Sequence, residues 1–104
     1  MNSDVILYST QKALEGKSIL ILFPNEYLLN KTFRSDIGNE VEKVISQKTW
    51  RFPKSEGRIL FRTVNIDINS LRGMEIEVQF AEDSDKLVSE EILSFAHYRS
   101  SRNK

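Results

Sequence analysis

Lys17–Gln47, KSILILFPNEYLLNKTFRSDIGNEVEKVISQ, is the stretch whose reading decides the fold. Its first part, Ser18–Phe23, is an unbroken Ile/Leu run closed by an aromatic, the pattern of a strand buried on both faces in the middle of a sheet. Pro24 ends that strand because it has no N–H to give a neighbour. Asn25 is placed to cap the next element, its side-chain oxygen taking a free N–H of the first helical turn. Leu29, Phe33, Ile37, Val41, Val44 and Ile45 then recur at spacings of three and four, which predicts an amphipathic helix to about Gln47. Gly38 interrupts the stripe, and Ser35 or Asp36 offers a cap for a second helix there, so the element is either bent or split.

Upstream, residues 4–15 combine a β-rich VILYST with Ile6, Thr10, Ala13 and Leu14 on one helical face; the reading adopted is a helix ended by Gly16. Downstream, TWRFPKSEG (49–57) reads as a loop punctuated by Pro53, Ser55 and Gly57. Ile59, Phe61 and Thr63 alternate, as do Val64, Ile66 and Ile68, with a phase change between the two sets that predicts a bulge or a twist. Residues 69–73 are a turn. Met74, Ile76, Val78 and Phe80 alternate with Glu75, Glu77 and Gln79, predicting a strand with one face in the core. Asp83 or Ser84 then caps a last helix carrying Leu87, Val88, Ile92, Phe95 and Ala96 on one side. The expected fold is α+β in the order α-β-α-β-β-α, a small three-stranded sheet with helices packed on one face. A single domain covers 1–99, followed by a disordered basic tail, 100–104.

At 104 residues the chain is one domain, able to bury roughly 65% of its unfolded surface. There is no cysteine, which removes disulfides, thiolate metal sites and thiol nucleophiles. The N-terminal residues carry no basic leader with an apolar run, and the longest apolar stretch, Ile19–Phe23, is far short of a membrane span. A cytoplasmic protein away from membranes is the expectation. Fifteen basic residues balance fifteen acidic ones, without the basic excess usual in a dedicated nucleic-acid binder. The charges are segregated, however: Lys48, Arg51, Lys54, Arg58 and Arg62 face only Glu56 in mid-chain, and an acidic block lies further on, from Glu75 to Glu91.

No reactive constellation stands out. His97 is the only histidine, and no motif supplies it with a carboxylate or a nucleophile. Neither a metal site nor a cofactor site is expected: Glu82-Asp83-Ser84-Asp85 lacks the spacing and glycine of an EF-hand loop. Glu15-Gly16-Lys17-Ser18 lacks the first glycine of a phosphate loop and precedes a strand instead of a helix. Gly38-Asn39-Glu40-Val41 does not form the clamp of an RNA-binding KH module, and no strand carries the paired aromatics of an RRM. The surface candidate is Trp50-Arg51-Phe52-Pro53 with Lys48 and Lys54, residue types that anchor protein contacts or stack on single-stranded bases. The alternative is that Trp50 and Phe52 fold back to close the core.

The segment Leu20–Leu29, LILFPNEYLL, with its adjoining helix, resembles two related bacterial replication modules. One is the N-terminal domain of the initiator DnaA, where a strand, a Pro-Asn pair and a helix with a leading aromatic come in this order, matched by Pro24-Asn25-Glu26-Tyr27. The other is the KH-like domain in the C-terminal part of the DNA polymerase III gamma/tau subunit, matched by Ala13-Leu14-Glu15-Gly16-Lys17 leading into an apolar strand. The resemblance implies a KH-like domain that works by protein contact, without catalytic residues, in DNA replication. The implied partners are the polymerase catalytic subunit or the replicative helicase on the gamma/tau likeness, and the helicase with self-association on the initiator likeness. The expected function is therefore a non-enzymatic adaptor, its contact surface drawn from Trp50, Arg51, Phe52 and Lys54 or from Tyr98 and Arg99 at the end of the last helix. The alternative is a nucleic-acid accessory domain using the basic and aromatic segment 48–62.

Overall fold

The computed structural model describes residues 2–101, with side chains described for residues 4–96. In chain order it contains α1 (Asn2–Leu14), β1 (Ser18–Phe23), α2 (Glu26–Phe33), β2 (Glu42–Val44), β3 (Thr49–Phe52), β4 (Gly57–Thr63), β5 (Glu77–Phe80) and α3 (Glu90–Ser101). Single 3-10 turns lie at Ile45–Gln47, Ile68–Leu71 and Ser84–Lys86. The class is α+β. The sheet is mixed and has five strands in the order β2-β3-β4-β1-β5, not three. β1 runs parallel to both β4 and β5, while β2, β3 and β4 form an antiparallel meander.

The apolar run of β1 explains the layering. Ile19, Ile21 and Phe23 pack with Leu29 and Phe33 of α2, Ala13 of α1, and Trp50, Phe52, Ile59 and Phe61. Leu20 and Leu22 point the other way, toward Ile92 and Ala96 of α3, Val78, and Ile68, Leu71 and Ile76 of the β4–β5 connection. Helices therefore cover both faces, not one. A strand apolar on successive residues has two faces to bury, and one helical layer covers only one of them.

Two expected elements change identity. α2 stops at Phe33 and does not continue to Gln47. Past Phe33, the Asp36 side chain accepts the Gly38 N–H (3.0 Å) and Gly38 sits at φ +96°, a local turn that competes with helical bonding. Ile37 and Val41 still pack on the core, so the stripe marks burial there without helical backbone. β-Branched Val44 then sits in β2, where such side chains suit a pleated surface.

The stretch 49–57, expected as a loop, holds β3 and the first residue of β4 around a turn. Gly57 is there for close approach: a Cβ would lie 1.8 Å from the Ala13 carbonyl oxygen, an atom that also accepts the Ser55 hydroxyl (2.7 Å). β4 ends at Thr63, so the phase change after it marks the end of a strand. β5 is shorter than expected, with Met74 and Ile76 in the connection. Residues 102–104 of the expected tail lie outside the described residues.

The boundaries of β1 and the cap of α2 match the sequence reading. Asn25 accepts the Leu28 N–H at 2.9 Å, and Pro24 comes directly after the last β1 residue. α1 is helical as expected. The cap of α3 is Ser89, whose hydroxyl accepts the Ile92 N–H (3.3 Å); Asp83 and Ser84 belong to the preceding 3-10 turn. No helix among the described residues is long and apolar enough to cross a membrane.

Candidate functional site: a cationic groove where the strand connections diverge

At the carboxyl ends of β1 and β4 the chain leaves the sheet in opposite directions. β1 leads to α2 on the first face, whereas β4 leads through residues 64–76 across the second face to β5. A crevice opens between the two exits, the place where open α/β sheets seat ligands. Here it is a groove of about 400 Å³. Glu26 and Leu29 of α2 form one wall, Thr63, Asn65 and Ile66 the opposite wall, and Ser46, Gln47 and Lys48 one end.

Local backbone geometry places the cations. Lys48 adopts φ 47°, ψ 56°, a left-handed conformation that costs a non-glycine residue about 1 kcal/mol or more. It joins the 3-10 turn to β3, and its carbonyl accepts the Phe61 N–H at 2.9 Å. Its Nζ reaches Asn30 Oδ1 of α2 (2.8 Å) and lies 5.4 Å from the Phe33 ring centre. Arg62, at the other side, gives its guanidinium to the carbonyls of Phe61 (2.8 Å), Gln47 (3.0 Å) and Lys48 (3.4 Å).

Neither cation meets a carboxylate within 4.0 Å among the described residues, and Glu26, in the same groove, pairs with neither. Burial lowers the Arg62 pKa from its ordinary value, without taking away a charge that arginine keeps throughout the biological range. A half-buried guanidinium held only by neutral acceptors is a standing attraction for an anion.

Two large apolar side chains adjacent in sequence to lining residues are exposed without lining the groove themselves: Tyr27 is 71% and Ile45 72% exposed. On α1, Leu7 and Leu14 are also exposed.

Of the residues expected to bind a partner, Trp50 and Phe52 are core. Trp50 is fully buried, its ring 4.7 Å from that of Phe61, and its Nε1 donates to the Phe33 carbonyl (3.1 Å). That bond satisfies an acceptor at the C-terminal end of α2 that the helix itself leaves open. Arg51 is exposed on the opposite sheet face, paired with Glu42 at 3.4 Å, and Lys54 is exposed in the turn after β3. Arg58 lies directly across from Arg51 and donates to the Ser18 hydroxyl (3.3 Å). The basic residues of 48–62 thus divide between an open sheet face (Arg51, Arg58), the turn after β3 (Lys54) and the groove (Lys48, Arg62), while Trp50 is buried in the core. The side chains of His97, Tyr98 and Arg99 lie outside the described residues.

The parallel pairing of β1 with β4 brings the groove together, and no local pattern announces it. The available sequence signals were the β4 phase break after Thr63 and the cations at 48 and 62. A second polar cluster lies near the far edge of the sheet, where Tyr8 donates to Glu77 (2.5 Å) and Gln79 donates to the same oxygen (2.7 Å). Burial and the Glu77 carboxylate push the Tyr8 pKa up to about 12. No group of three or more His, Asp or Glu residues suited to a metal ion occurs among the described residues. No family model, curated protein or solved structure matches the chain, so the reading of the site rests on its geometry.

Proposed function

We propose that this protein is a non-catalytic binding domain that docks an acidic segment of a protein partner in the groove between α2 and the β4–β5 connection. The observation that carries the reading is the pair Lys48 and Arg62, both lining the groove and neither meeting a carboxylate within 4.0 Å among the described residues. The groove's apolar side chains, Leu29, Phe61 and Ile66, give it contact surface besides the charges. With no cysteine and one histidine, the chain offers no thiol nucleophile and a single imidazole, and the groove's lining includes neither, which favours binding over catalysis.

The resemblance to replication modules makes the polymerase catalytic subunit and the replicative helicase the first partners to test. That likeness included a helix to about Gln47, and the observed α2 ends at Phe33. The binding reading stands on the groove and does not depend on it.

Fluorescence anisotropy with a labelled acidic peptide tests the reading. Binding is expected at low ionic strength, weakening as salt rises. It should be lost in Arg62→Ala and in Lys48→Gly, a change that keeps the left-handed backbone while removing the ammonium. An acidic peptide that stays free at low salt, or that binds both variants as it binds the parent, contradicts it.

The rival nucleic-acid reading draws on Arg51 and Arg58, like charges placed directly opposite across β3 and β4, which an anion would relieve. Burial of Trp50 removes the stacking platform this reading relied on. Tighter binding of a single-stranded oligonucleotide than of the peptide, abolished by Arg51→Ala with Arg58→Ala, would favour it.

A further inference from the structure

The groove is not uniformly cationic. Glu26 lines the same cavity as Lys48 and Arg62, yet forms no ion pair with either. Lys48 is held toward Asn30, and Arg62 is held by three backbone carbonyls, so both cations are fixed by neutral partners and do not fold onto the glutamate. A groove with separated charges of both signs discriminates by register. A ligand with acid groups alone satisfies the cations and sets a like charge near Glu26. One that also carries a cation satisfies both ends. A polyanion such as a nucleic-acid strand meets the same penalty along its length.

Resting on the acidic-segment reading, we propose that the occupant is an amphoteric segment of a protein partner. Its Asp or Glu sits between Lys48 and Arg62, and a Lys or Arg a fixed number of residues away faces Glu26. The volume of about 400 Å³ lies at the small end of the roughly 300–1,000 Å³ typical of ligand pockets, which suits a few side chains of a peptide. Glu26 is thus a specificity-determining residue: it selects among acidic segments by repelling those that bring no cation to it.

The test uses the full chain and labelled short peptides with one Glu and one Lys separated by zero to three residues. A peptide with Glu only, a peptide with Gln in place of Glu, and an oligothymidylate of matched length complete the panel. At low salt one spacing is expected to bind at least tenfold more tightly than the Glu-only peptide, and the Gln peptide is expected not to bind. In Glu26→Gln that advantage should vanish, because the Glu-only peptide, freed of the like charge, binds more tightly while the amphoteric peptide loses the partner of its cation. In Glu26→Lys a doubly acidic peptide should become the preferred ligand. Glu26 opens α2, so circular dichroism of both variants checks that the helix is kept. If Glu-only binds as tightly as every amphoteric peptide in the parent, the inference fails and the acidic-segment reading survives. If no peptide binds, or the oligothymidylate binds best, both fall.

Discussion

Two halves of one sheet are built on different terms. The parallel half, β4-β1-β5, carries apolar residues to both faces and is clamped between α1 and α2 on one side and α3 with residues 64–76 on the other. The antiparallel half, β2-β3, buries mainly one face, through Trp50 and Phe52, and shows Glu42 and Arg51 to solvent on the other. The first half is stabilised chiefly by apolar area buried on both faces, whereas the second depends on a few anchors. The groove lies near the boundary between them, where the turn leading into β3 meets the carboxyl end of β4. Binding residues thus sit on connections held by a rigid parallel block, a common division of labour between scaffold and site.

The largest expected effect separates the two halves through one strand. Trp50→Ala removes a fully buried ring and the bond to the Phe33 carbonyl; equilibrium urea unfolding should show a loss of about 3–5 kcal/mol. If the antiparallel half were a loosely attached flap, the loss would be small. Next comes Gly57→Ala, which drives a Cβ into the Ala13 carbonyl where α1 meets the start of β4. A loss of about 3 kcal/mol, or failure to fold, is expected from such overpacking; a neutral outcome would mean that α1 can lift off the sheet.

Tyr8→Phe tests the far edge of the parallel half. Losing the hydroxyl's bond to Glu77 should cost about 1 kcal/mol near neutral pH, read by the same unfolding curves. The Tyr8 pKa is about 12 in the folded chain against 10.0 ordinarily, so the folded state favours the protonated phenol. Its contribution is complete below pH 10 and is lost as pH rises through that interval. The parent should therefore lose more stability than Tyr8→Phe between these limits, and equal losses would place the phenol in solvent. Arg51→Ala, next to Trp50 but exposed and paired only at the surface, should change stability by no more than about 0.5 kcal/mol.

The sequence was legible where burial and backbone periodicity agree. The Ile/Leu run of β1, Pro24 and Asn25 set a strand, a stop and a cap, all of which the structure contains. It misled where a hydrophobic period of three to four persisted without helical backbone: Ile37 and Val41 pack on the core from a turn that Asp36 and Gly38 close locally. It was silent on strand pairing. That Arg62 ends up beside the turn holding Lys48 is a consequence of how β3 and β4 pair, a long-range relation that no local pattern encodes. Trp50 and Phe52 were legible as anchors but not as to which side they face, since TWRF alternates with Arg51 outward only once its place in a sheet is known.

The central claim is that recognition occurs in the groove and not on the open face of the antiparallel half. A titration of the ¹⁵N-labelled chain with an acidic peptide, monitored through amide chemical shifts, tests it most directly. Shifts should concentrate at residues 26–29, 46–48 and 61–66 and disappear in Arg62→Ala. Shifts confined to Arg51, Arg58 and their neighbours, or none with peptide in large excess, would contradict it.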